Sequence, residues 1–195
     1  DKHESVIFRR DNSHYEMLNG VERCIDDELP FEIPPQWCWI RFESTITLLS
    51  GTDFAPDEYN SAGKGIAYIT GASNIVDSQI LVNRWTETPR QIAHAGDVLL
   101  VCKGSGYGKT VICNIAQAHI ARQIMAVQKS DLLDMQYVKL FLYSSFDLLK
   151  AKGQGVIPGI DRTSVLHLLF PLPPLAEQHR IVQRIEELLP LVKGL

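Results

Sequence analysis

The sequence lacks a long apolar run. Hydrophobic residues make up 45% of its 195 residues, yet no run approaches the roughly 20 apolar residues that a membrane-spanning helix needs. The chain begins Asp1-Lys2-His3-Glu4, without the apolar core of a signal peptide. We therefore expect a folded protein that has no membrane partner and is located in the cytoplasm.

Paired cysteines and the common catalytic motifs are missing as well. Cys24, Cys38, Cys102 and Cys113 are widely spaced, and no Cys-x-x-Cys or His-x-x-x-His pair accompanies them, which predicts reduced thiols and no metal site. There is no Gly-x-Ser-x-Gly, no His-Glu-x-x-His and no paired-carboxylate motif of a metal-dependent nuclease. These absences favour a chain that is not itself an enzyme.

An excess of positive charge, the usual sign of a nucleic-acid-binding protein, is also missing. The chain carries 19 Lys and Arg against 23 Asp and Glu, a net charge of -4. The distribution is uneven, however, because residues 1–40 hold 9 acidic and 4 basic side chains. From Arg84 to Lys129 there are six basic residues against two acidic ones, so a local basic zone exists.

Short strand-like runs occupy the first two thirds of the chain. Residues 1–28 are polar and acidic without a sustained apolar period, and we interpret them as a lead-in arm. Three prolines in residues 29–35 favour extended backbone ahead of a predicted strand at 37–40. Further β-rich runs bounded by turn residues predict strands at 66–70, 79–82, 98–102, 110–113 and 124–127.

Helical periodicity begins after residue 130. Residues 131–150 place apolar side chains on one face behind Asp131 as the predicted N-cap. Asp161 is predicted to cap a short helix over 162–168, and residues 171–174 (PLPP) to form a rigid extended link. From Leu175 onward the pattern predicts a coiled-coil helix, or alternatively a helix packed in the core. Its seam consists of Ile181, Ile185, Leu188 and Val192.

A glycine-rich stretch follows the predicted strand at 98–102. Residues 104–110 (GSGYGKT) look like a phosphate-binding P-loop, which requires Gly-x-x-x-x-Gly-Lys-Ser/Thr ahead of a helix. The spacing is one residue short, and the β-branched residues after Thr110 predict a strand instead of that helix. A second interpretation is a hairpin that presents polar side chains to a phosphodiester, and a third is a structural turn.

The C-terminal region carries a resemblance to a known family. Residues 170–182 (FPLPPLAEQHRIV), preceded by 155–162 (GVIPGIDR), closely resemble the segment that opens the long conserved helix of specificity subunits in type I restriction systems. Residues 31–39 (FEIPPQWCW) resemble the start of the same family's recognition domain, and residues 96–109 with 121–124 resemble its central segment. The resemblance covers roughly residues 29–193.

This resemblance implies a fold and a set of partners. It implies an α+β class: a sheet-rich DNA target-recognition domain over 29–174 with flanking helices, then over 175–195 the start of a long coiled-coil-type spacer helix. It implies double-stranded DNA as a partner, together with methyltransferase and restriction subunits and a second recognition half that packs antiparallel through the helix. S-adenosylmethionine, ATP and magnesium would then belong to the partner subunits, and this chain would bind no cofactor.

Side chains that can pair with base edges or phosphates are the candidate contacts to DNA. These candidates are Lys103, Ser105, Tyr107, Lys109, Arg122 and Gln123, followed by Thr52, Lys64, Asn74 and Gln154. Ordinary surface polarity is the alternative explanation for each of them. Two other functions stay open at this point: an NTP-binding enzyme built on residues 104–110, and a protein-interaction module that reads no DNA.

Overall fold

Short strands dominate the computed structural model, which describes residues 5–104, 106–152 and 159–193. The strands are β1 (Ser5–Arg10), β2 (Ser13–Leu18), β3 (Val21–Cys24), β4 (Cys38–Arg41), β5 (Leu48–Ser50), β6 (Ile66–Ile69), β7 (Ile75–Val76), β8 (Gln79–Ile80), β9 (Trp85–Thr86), β10 (Ile92–His94), β11 (Val98–Val101), β12 (Thr110–Ile112), β13 (Gln117–Ile120), β14 (Ile124–Val127) and β15 (Leu169–Leu172). The α-helices are α1 (Met135–Ser144), α2 (Phe146–Lys152), α3 (Arg162–Leu166) and α4 (Leu175–Lys193). This mixture confirms the predicted α+β class.

The chain divides into two units. The terminal unit combines Asp1–Ile46 with Leu166–Leu195, and the inserted unit is Thr47–Val165. The predicted recognition domain, residues 29–174, does not coincide with either unit, because its first and last segments belong to the terminal unit. The two-stranded pairing of β4 with β15 explains this difference, since it ties both chain ends of that domain together.

Two four-stranded sheets form the inserted unit. One has the order β12-β11-β14-β5 and is antiparallel throughout. The other has the order β10-β13-β6-β9, in which β13 and β6 run parallel. The uninterrupted apolar run of β11 is buried along its whole length, as such runs are when both faces of a strand are covered. The predicted strands at 66–70, 79–82, 98–102, 110–113 and 124–127 are all present, most of them one or two residues shorter.

Helix α1 packs on the antiparallel sheet through Val138 and Leu142, which are buried. The predicted N-cap was wrong: Asp134, not Asp131, caps this helix, and its carboxylate accepts the backbone N–H groups of Gln136 and Tyr137. A cap three residues later leaves Leu132 outside the helix. The predicted single helix is also divided, since α1 ends at Ser144 and α2 begins at Phe146.

The glycine-rich stretch lies directly against helix α2. Gly108 has a φ of +92°, and a Cβ added there would lie 2.0 Å from Cε2 of Phe146. The ring of Tyr107 meets the same Phe146 ring edge-on, with 5.5 Å between the centroids. Glycine is therefore required at position 108 both for its backbone conformation and for the space that Phe146 fills.

Residues 5–24 form a three-stranded antiparallel sheet in the order β1-β2-β3, so the interpretation of residues 1–28 as a lead-in arm was wrong. Two tight turns build it. Asp11 and Asn12 have φ of 52° and 69°, and Asn19 and Gly20 have φ of 51° and 81°. Two consecutive residues with positive φ are typical of hairpin turns whose twist matches that of the strands.

A buried carboxylate attaches this sheet to β4. Glu16 of β2 is 1% exposed, and its two oxygens accept hydrogen bonds from Nε and Nη2 of Arg41, both at 2.7 Å. Arg23 and Ser5 donate to the same carboxylate. Arg41 is the largest cause of a pKa of about 2 for Glu16, against an ordinary 4.5. Glu16 therefore stays ionised in the interior.

The segment predicted as an extended link before the last helix is in fact partly a strand. Pro171 lies in β15 opposite Trp39 of β4, a position open to proline because this sheet has only two strands. Helix α4 follows, and Gln178 donates from Nε2 to the carbonyl of Pro173 at 3.0 Å. Among the described residues, no helix is long and apolar enough to cross a membrane.

The far half of α4 exposes apolar side chains. Val182 is buried, whereas Leu188, Leu189 and Leu191 are 41%, 45% and 68% exposed. Ile181 and Ile185 are half-buried. Of the predicted seam, the side chain of Val192 lies outside the described part of the structure. The helix is therefore amphipathic, and much of its apolar surface stays uncovered within this chain.

The Glu16 carboxylate predicts an acid-sensitive terminal unit. Its folded-state pKa lies below the ordinary value, so the stabilisation is complete above about pH 4.5 and is lost as the pH falls toward 2. Glu16→Gln should cost about 3 kcal/mol at pH 7, because it leaves Arg41 buried with less compensation. It should also flatten the pH dependence between 4.5 and 2. Urea unfolding followed by tryptophan fluorescence measures this, since Trp37 and Trp39 lie in the terminal unit.

The matched control is Glu22→Gln. Glu22 pairs with Arg10 on the same sheet, but both side chains are a third or more exposed, so we expect a loss below about 1 kcal/mol. Equal losses of unfolding free energy for the two variants would show that the buried carboxylate contributes no more stability than the exposed one.

The contact between Gly108 and Phe146 predicts an unequal cost for two glycine substitutions. Gly63 and Gly108 both have positive φ, but nothing lies within 4 Å of a Cβ added at Gly63. Ala at either position should therefore be strained in the backbone, while only Gly108→Ala also displaces Phe146. We expect Gly108→Ala to cost about 1–3 kcal/mol more than Gly63→Ala in urea unfolding at pH 7. Similar costs would mean that Phe146 moves away freely.

Candidate nucleic-acid interface

The glycine-rich stretch is the connection of a β-hairpin. Strands β11 and β12 pair in register with Leu100 opposite Thr110. The hairpin is closed by two backbone hydrogen bonds, from the N–H of Val101 to the carbonyl of Lys109 at 2.9 Å and from the N–H of Gly108 to the carbonyl of Val101 at 2.7 Å. The chain continues from Thr110 as a strand, so no helix N-terminus stands behind the loop. The NTP-binding alternative therefore has no support.

Two neighbouring segments support this loop. Gly106 lies against the turn at residues 71–74, because a Cβ added to it would lie 2.2 Å from Cβ of Ala72. The side chain of Gln123 contacts Gly104 and Gly71, since a Cβ added to either glycine would lie within 3.2 Å of its Oε1. The turn at 71–74, the two loop glycines and Gln123 therefore lie directly against one another.

Two lysines mark the ends of the loop. Lys103 and Lys109 are both exposed. The backbone of Lys103 bridges to Gly159, and its neighbour Cys102 accepts the N–H of Ile160 at 2.8 Å. Neither lysine ammonium has an ion pair or hydrogen bond among the residues that the structure describes. Both charges are therefore available to an anion such as a phosphodiester.

Arg122 lies beside the start of the same loop and is paired. The N–H of Cys102 donates to the carbonyl of Gln123 at 2.7 Å, which places residues 122 and 123 next to Lys103. Asp53 holds Arg122 in two ways: its Oδ1 accepts the backbone N–H at 3.0 Å, and its Oδ2 forms an ion pair with Nε at 2.7 Å. The Arg122 side chain is nevertheless 71% exposed.

Residues 51–53 are fixed in place by strand β13 and the turn after it. The N–H of Thr52 donates to the carbonyl of Ile120 at 2.9 Å, and a Cβ added to Gly51 would lie 2.1 Å from the carbonyl oxygen of Ala121. His119 is fully buried, and its Nε2 lies 2.7 Å from the carbonyl oxygen of Thr52. This loop therefore presents Asp53 from a rigid base.

His119 performs this role as a neutral ring. Its Nδ1 accepts the backbone N–H groups of Arg90 and Gln91 at 3.2 and 3.1 Å, so Nε2 carries the proton and donates it to Thr52. Burial lowers the pKa of His119, which keeps the ring uncharged at neutral pH.

The predicted DNA contacts are distributed unevenly. Lys103, Tyr107, Lys109, Arg122, Gln123 and Thr52 lie in the connected segments described above, although Tyr107 and Thr52 are half-buried. Lys64 is exposed on a separate loop, where Asn60 holds its backbone from both sides. Within the described part of the chain, Lys64 forms no hydrogen bond or ion pair with the glycine-rich loop. Ser105 and Gln154 lie outside the described residues.

The predicted role of Asn74 as a DNA contact does not fit its position in the structure. Its side chain is 1% exposed, and Oδ1 accepts from the backbone N–H and the hydroxyl of Thr70, both at 3.0 Å. Nδ2 donates to the carbonyl of Leu81 and to Oδ1 of Asn83. All its hydrogen-bonding capacity is used inside the protein, so Asn74 shapes the turn at 71–74 and does not reach a base edge.

Sequence reasoning missed two supporting side chains. Asp53 anchors Arg122 across 69 positions of sequence, and Phe146 carries the loop from helix α2. No local pattern connects either residue to its partner, because strand order brings them together. The low apolar content of residues 51–65, between two strands, is a sequence signal of a loop there.

Comparisons with known proteins agree with this picture. The family model described as the type I restriction modification DNA specificity domain matches residues 53–193. Curated relatives include the specificity subunits of the type I restriction enzymes EcoAI and EcoEI from Escherichia coli. They are 25% and 26% identical over 84% and 86% of this chain, and it covers 30% of each of them. The chain thus spans about a third of the length of the curated relatives it matches.

Solved structures show the same likeness. The HsdS subunit from Thermoanaerobacter tengcongensis aligns with a TM-score of 0.74 at 25% identity, over 85% of this chain and 40% of that one. A chain from a structure describing complex assembly and conformational transition of the type I R-M system aligns with a TM-score of 0.75, also at 25% identity, over 85% of this chain and 41% of that one. Together with the family model, these alignments confirm the resemblance read from the sequence: the chain belongs to the type I restriction modification DNA specificity domain family.

Proposed function

We propose that this chain recognises a specific sequence in double-stranded DNA, as one recognition half of a type I specificity subunit. The observation that carries the proposal is the convergence, at one end of β11 and β14, of the glycine-rich loop, the turn at 71–74, and residues 51–53 and 121–123. These segments carry an exposed arginine and two exposed lysines whose ammonium groups pair with none of the described residues. A surface that reads DNA sequence needs positive charge to bind the phosphates and hydrogen-bonding groups to contact the bases.

The two lysines fit phosphate binding. Lys103 and Lys109 are exposed at the two ends of the loop, so a phosphodiester that meets its surface can pair with both ammonium groups. This arrangement differs from a P-loop, because a hairpin grips the phosphodiester from the side of a sheet. The net charge of -4 is compatible with it, since the acidic residues of the first 40 positions belong to the terminal unit.

The chemistry of restriction and modification is proposed to lie elsewhere in the complex. In this proposal the chain is a non-catalytic component that directs methyltransferase and restriction subunits to their target. S-adenosylmethionine, ATP and magnesium would be bound by those subunits. The family membership supports this division, because its description names a specificity domain.

Helix α4 is proposed as the part that joins partners. The exposed leucines of its far half suit an antiparallel helix from the second recognition half, and methyltransferase subunits would dock on the resulting pair. A spacer of fixed helical length would then set the separation of the two half-sites on DNA, as dimer geometry does in other DNA-binding proteins.

The lysine pair predicts a sequence-independent loss of affinity. Lys103→Gln combined with Lys109→Gln should weaken binding to specific and unrelated duplexes by a similar factor. It should also reduce the slope of log K against log salt by about 2, because two phosphate contacts disappear. Titrations of the assembled subunit at several salt concentrations measure both.

Lys129→Gln is the matched control for this pair. Lys129 is also exposed, but it follows the opposite end of β14 and packs beside Gly96, ahead of β11. Its replacement should leave the slope unchanged. A double lysine variant with an unaltered slope would remove the glycine-rich loop from the interface.

Charged substitutions in the apolar seam of α4 should prevent assembly. Ile185→Asp with Leu188→Asp should abolish pairing with the second recognition half, since two charges would enter an apolar contact. Size-exclusion chromatography with light scattering, on the full subunit and its methyltransferase partner, measures this. Gln183→Asp on the opposite side of the same helix is the control and should assemble normally. If the seam variant still assembles, the helix has no role in pairing and serves only in the core of this chain.

A further inference from the structure

We infer that Arg122 reads a guanine in the major groove and that Asp53 is the residue that positions it. This inference rests on the proposed function and adds to it a base identity and a pair of residues. Its starting point is the hydrogen bond from the backbone N–H of Arg122 to Oδ1 of Asp53, together with the ion pair between Nε and Oδ2. Each carboxylate oxygen has its own partner, so rotation of the carboxylate would disturb one of the two contacts.

The anchored guanidinium keeps its outer edge free. With Nε in the ion pair with Asp53, the N–H groups of Nη1 and Nη2 form no hydrogen bond with the described residues. The side chain is 71% exposed, so this edge faces solvent. A planar group with a fixed base and a free pair of donors matches the geometry of bidentate recognition.

Guanine is the base that fits two donors. Its major-groove edge offers two acceptors, N7 and O6, side by side. Adenine offers one acceptor and one donor, cytosine offers a donor, and thymine offers one acceptor beside a methyl group. Arginine has no acceptor, so an edge with a donor repels one half of the fork. The chemistry of the free Nη edge therefore selects guanine.

The Asp53 pair also makes Arg122 a poor phosphate contact. The carboxylate compensates the positive charge, so the pair contributes little to the long-range attraction that phosphates exert on Lys103 and Lys109. The directional N–H groups are left as the remaining means of interaction. Base reading and phosphate binding are thus separated between the arginine and the two lysines.

The other arginines of the inserted unit are occupied in different ways. Arg90 pairs with Glu58 through Nη2 and lies over the Phe54 ring, 5.0 Å from its centroid. Arg162 donates from Nη1 to the carbonyl of Leu48 at 2.6 Å. Arg84 lies over the Tyr59 ring at 5.2 Å. Within this unit, whose four arginines are all described, Arg122 is the one whose Nε pairs with a carboxylate while Nη1 and Nη2 form no hydrogen bond with the described residues.

The rigid base of Asp53 strengthens the inference. Thr52 is held through its N–H by Ile120 and through its carbonyl by His119, so the carboxylate stands on backbone that is fixed on both sides of the peptide. Arg122 stands on the turn that carries Ala121, which contacts Gly51. Donor and acceptor are therefore placed by two segments that are themselves bonded to each other.

The test is selection from a randomised duplex library by the full subunit assembled with its partner subunits. The wild type should select a guanine at one position of the half-site that this chain reads. Arg122→Gln should shift that single position toward adenine, which a glutamine amide can pair with, with discrimination against other bases falling roughly 10- to 100-fold. Arg122→Lys keeps the charge and should lose the same guanine preference.

Asp53→Ala tests the positioning role. It should relax the preference at the same position as Arg122→Gln and leave the remaining positions of the selected sequence unchanged. Arg84→Gln is the matched control, since Arg84 is exposed on the same unit but lies over Tyr59, and it should select the wild-type sequence. Thermal unfolding of each variant verifies that the inserted unit is folded.

The outcomes separate this inference from the proposed function. If the wild type selects a sequence but Arg122→Gln selects the same one, or binds all duplexes equally more weakly with a smaller salt slope, Arg122 is no base reader and DNA recognition stands. If the wild-type assembly selects no sequence at all, the proposed function itself is refuted. Loss of guanine in both Arg122 variants but not in Asp53→Ala would keep the reader and overturn the positioning role.

Discussion

A buried, neutral imidazole holds the candidate interface together. His119 accepts two backbone N–H groups through Nδ1 and donates through Nε2 to Thr52, so it links the segment before β10 to the loop after β5. Burial depresses its pKa, and a proton on both nitrogens would break the two bonds at Nδ1. The position of Asp53, and through it of Arg122, depends on this ring remaining uncharged.

The candidate interface also depends on glycines at positions where a side chain would not fit. Gly51, Gly71, Gly104 and Gly106 each lie so close to a neighbouring segment that a Cβ would contact it at 3.2 Å or less. Close approach replaces side-chain packing as the way in which these loops hold one another. A loop without a core of its own is usually mobile, whereas here the backbone contacts give it the order that recognition of a base edge requires.

The sequence predicted the sheet strands well and the long-range contacts poorly. Residues 98–101 and 124–127 are apolar without interruption, which sufficed to identify buried strands. The sheet at residues 5–24 was missed because acidic composition was given more importance than the Asn19-Gly20 and Asp11-Asn12 pairs, which are strong hairpin signals. The family resemblance identified the class, but it supplies no partner for Arg122.

Asn74 and Asp53 show why candidate contacts are harder to predict than strands. Both are short polar residues between strands, and nothing in their immediate sequence separates them. Asn74 turns inward to bond Thr70 and Leu81, while Asp53 turns outward to hold a residue 69 positions away. The difference is decided by which strands lie next to each other in the two sheets, which is a property of the whole topology.

The chain leaves the terminal unit after Ile46 and returns to it at Leu166. The strands that flank these two points are paired, with Leu169 opposite Arg41, and the N–H of Phe42 donates to the carbonyl of Leu168 at 2.9 Å. An inserted unit with adjacent ends can be exchanged for another of different loops while β4, β15 and α4 stay as they are. If the chain reads DNA as proposed, exchange of the segment between these two neighbouring backbone positions would be enough to change the target sequence.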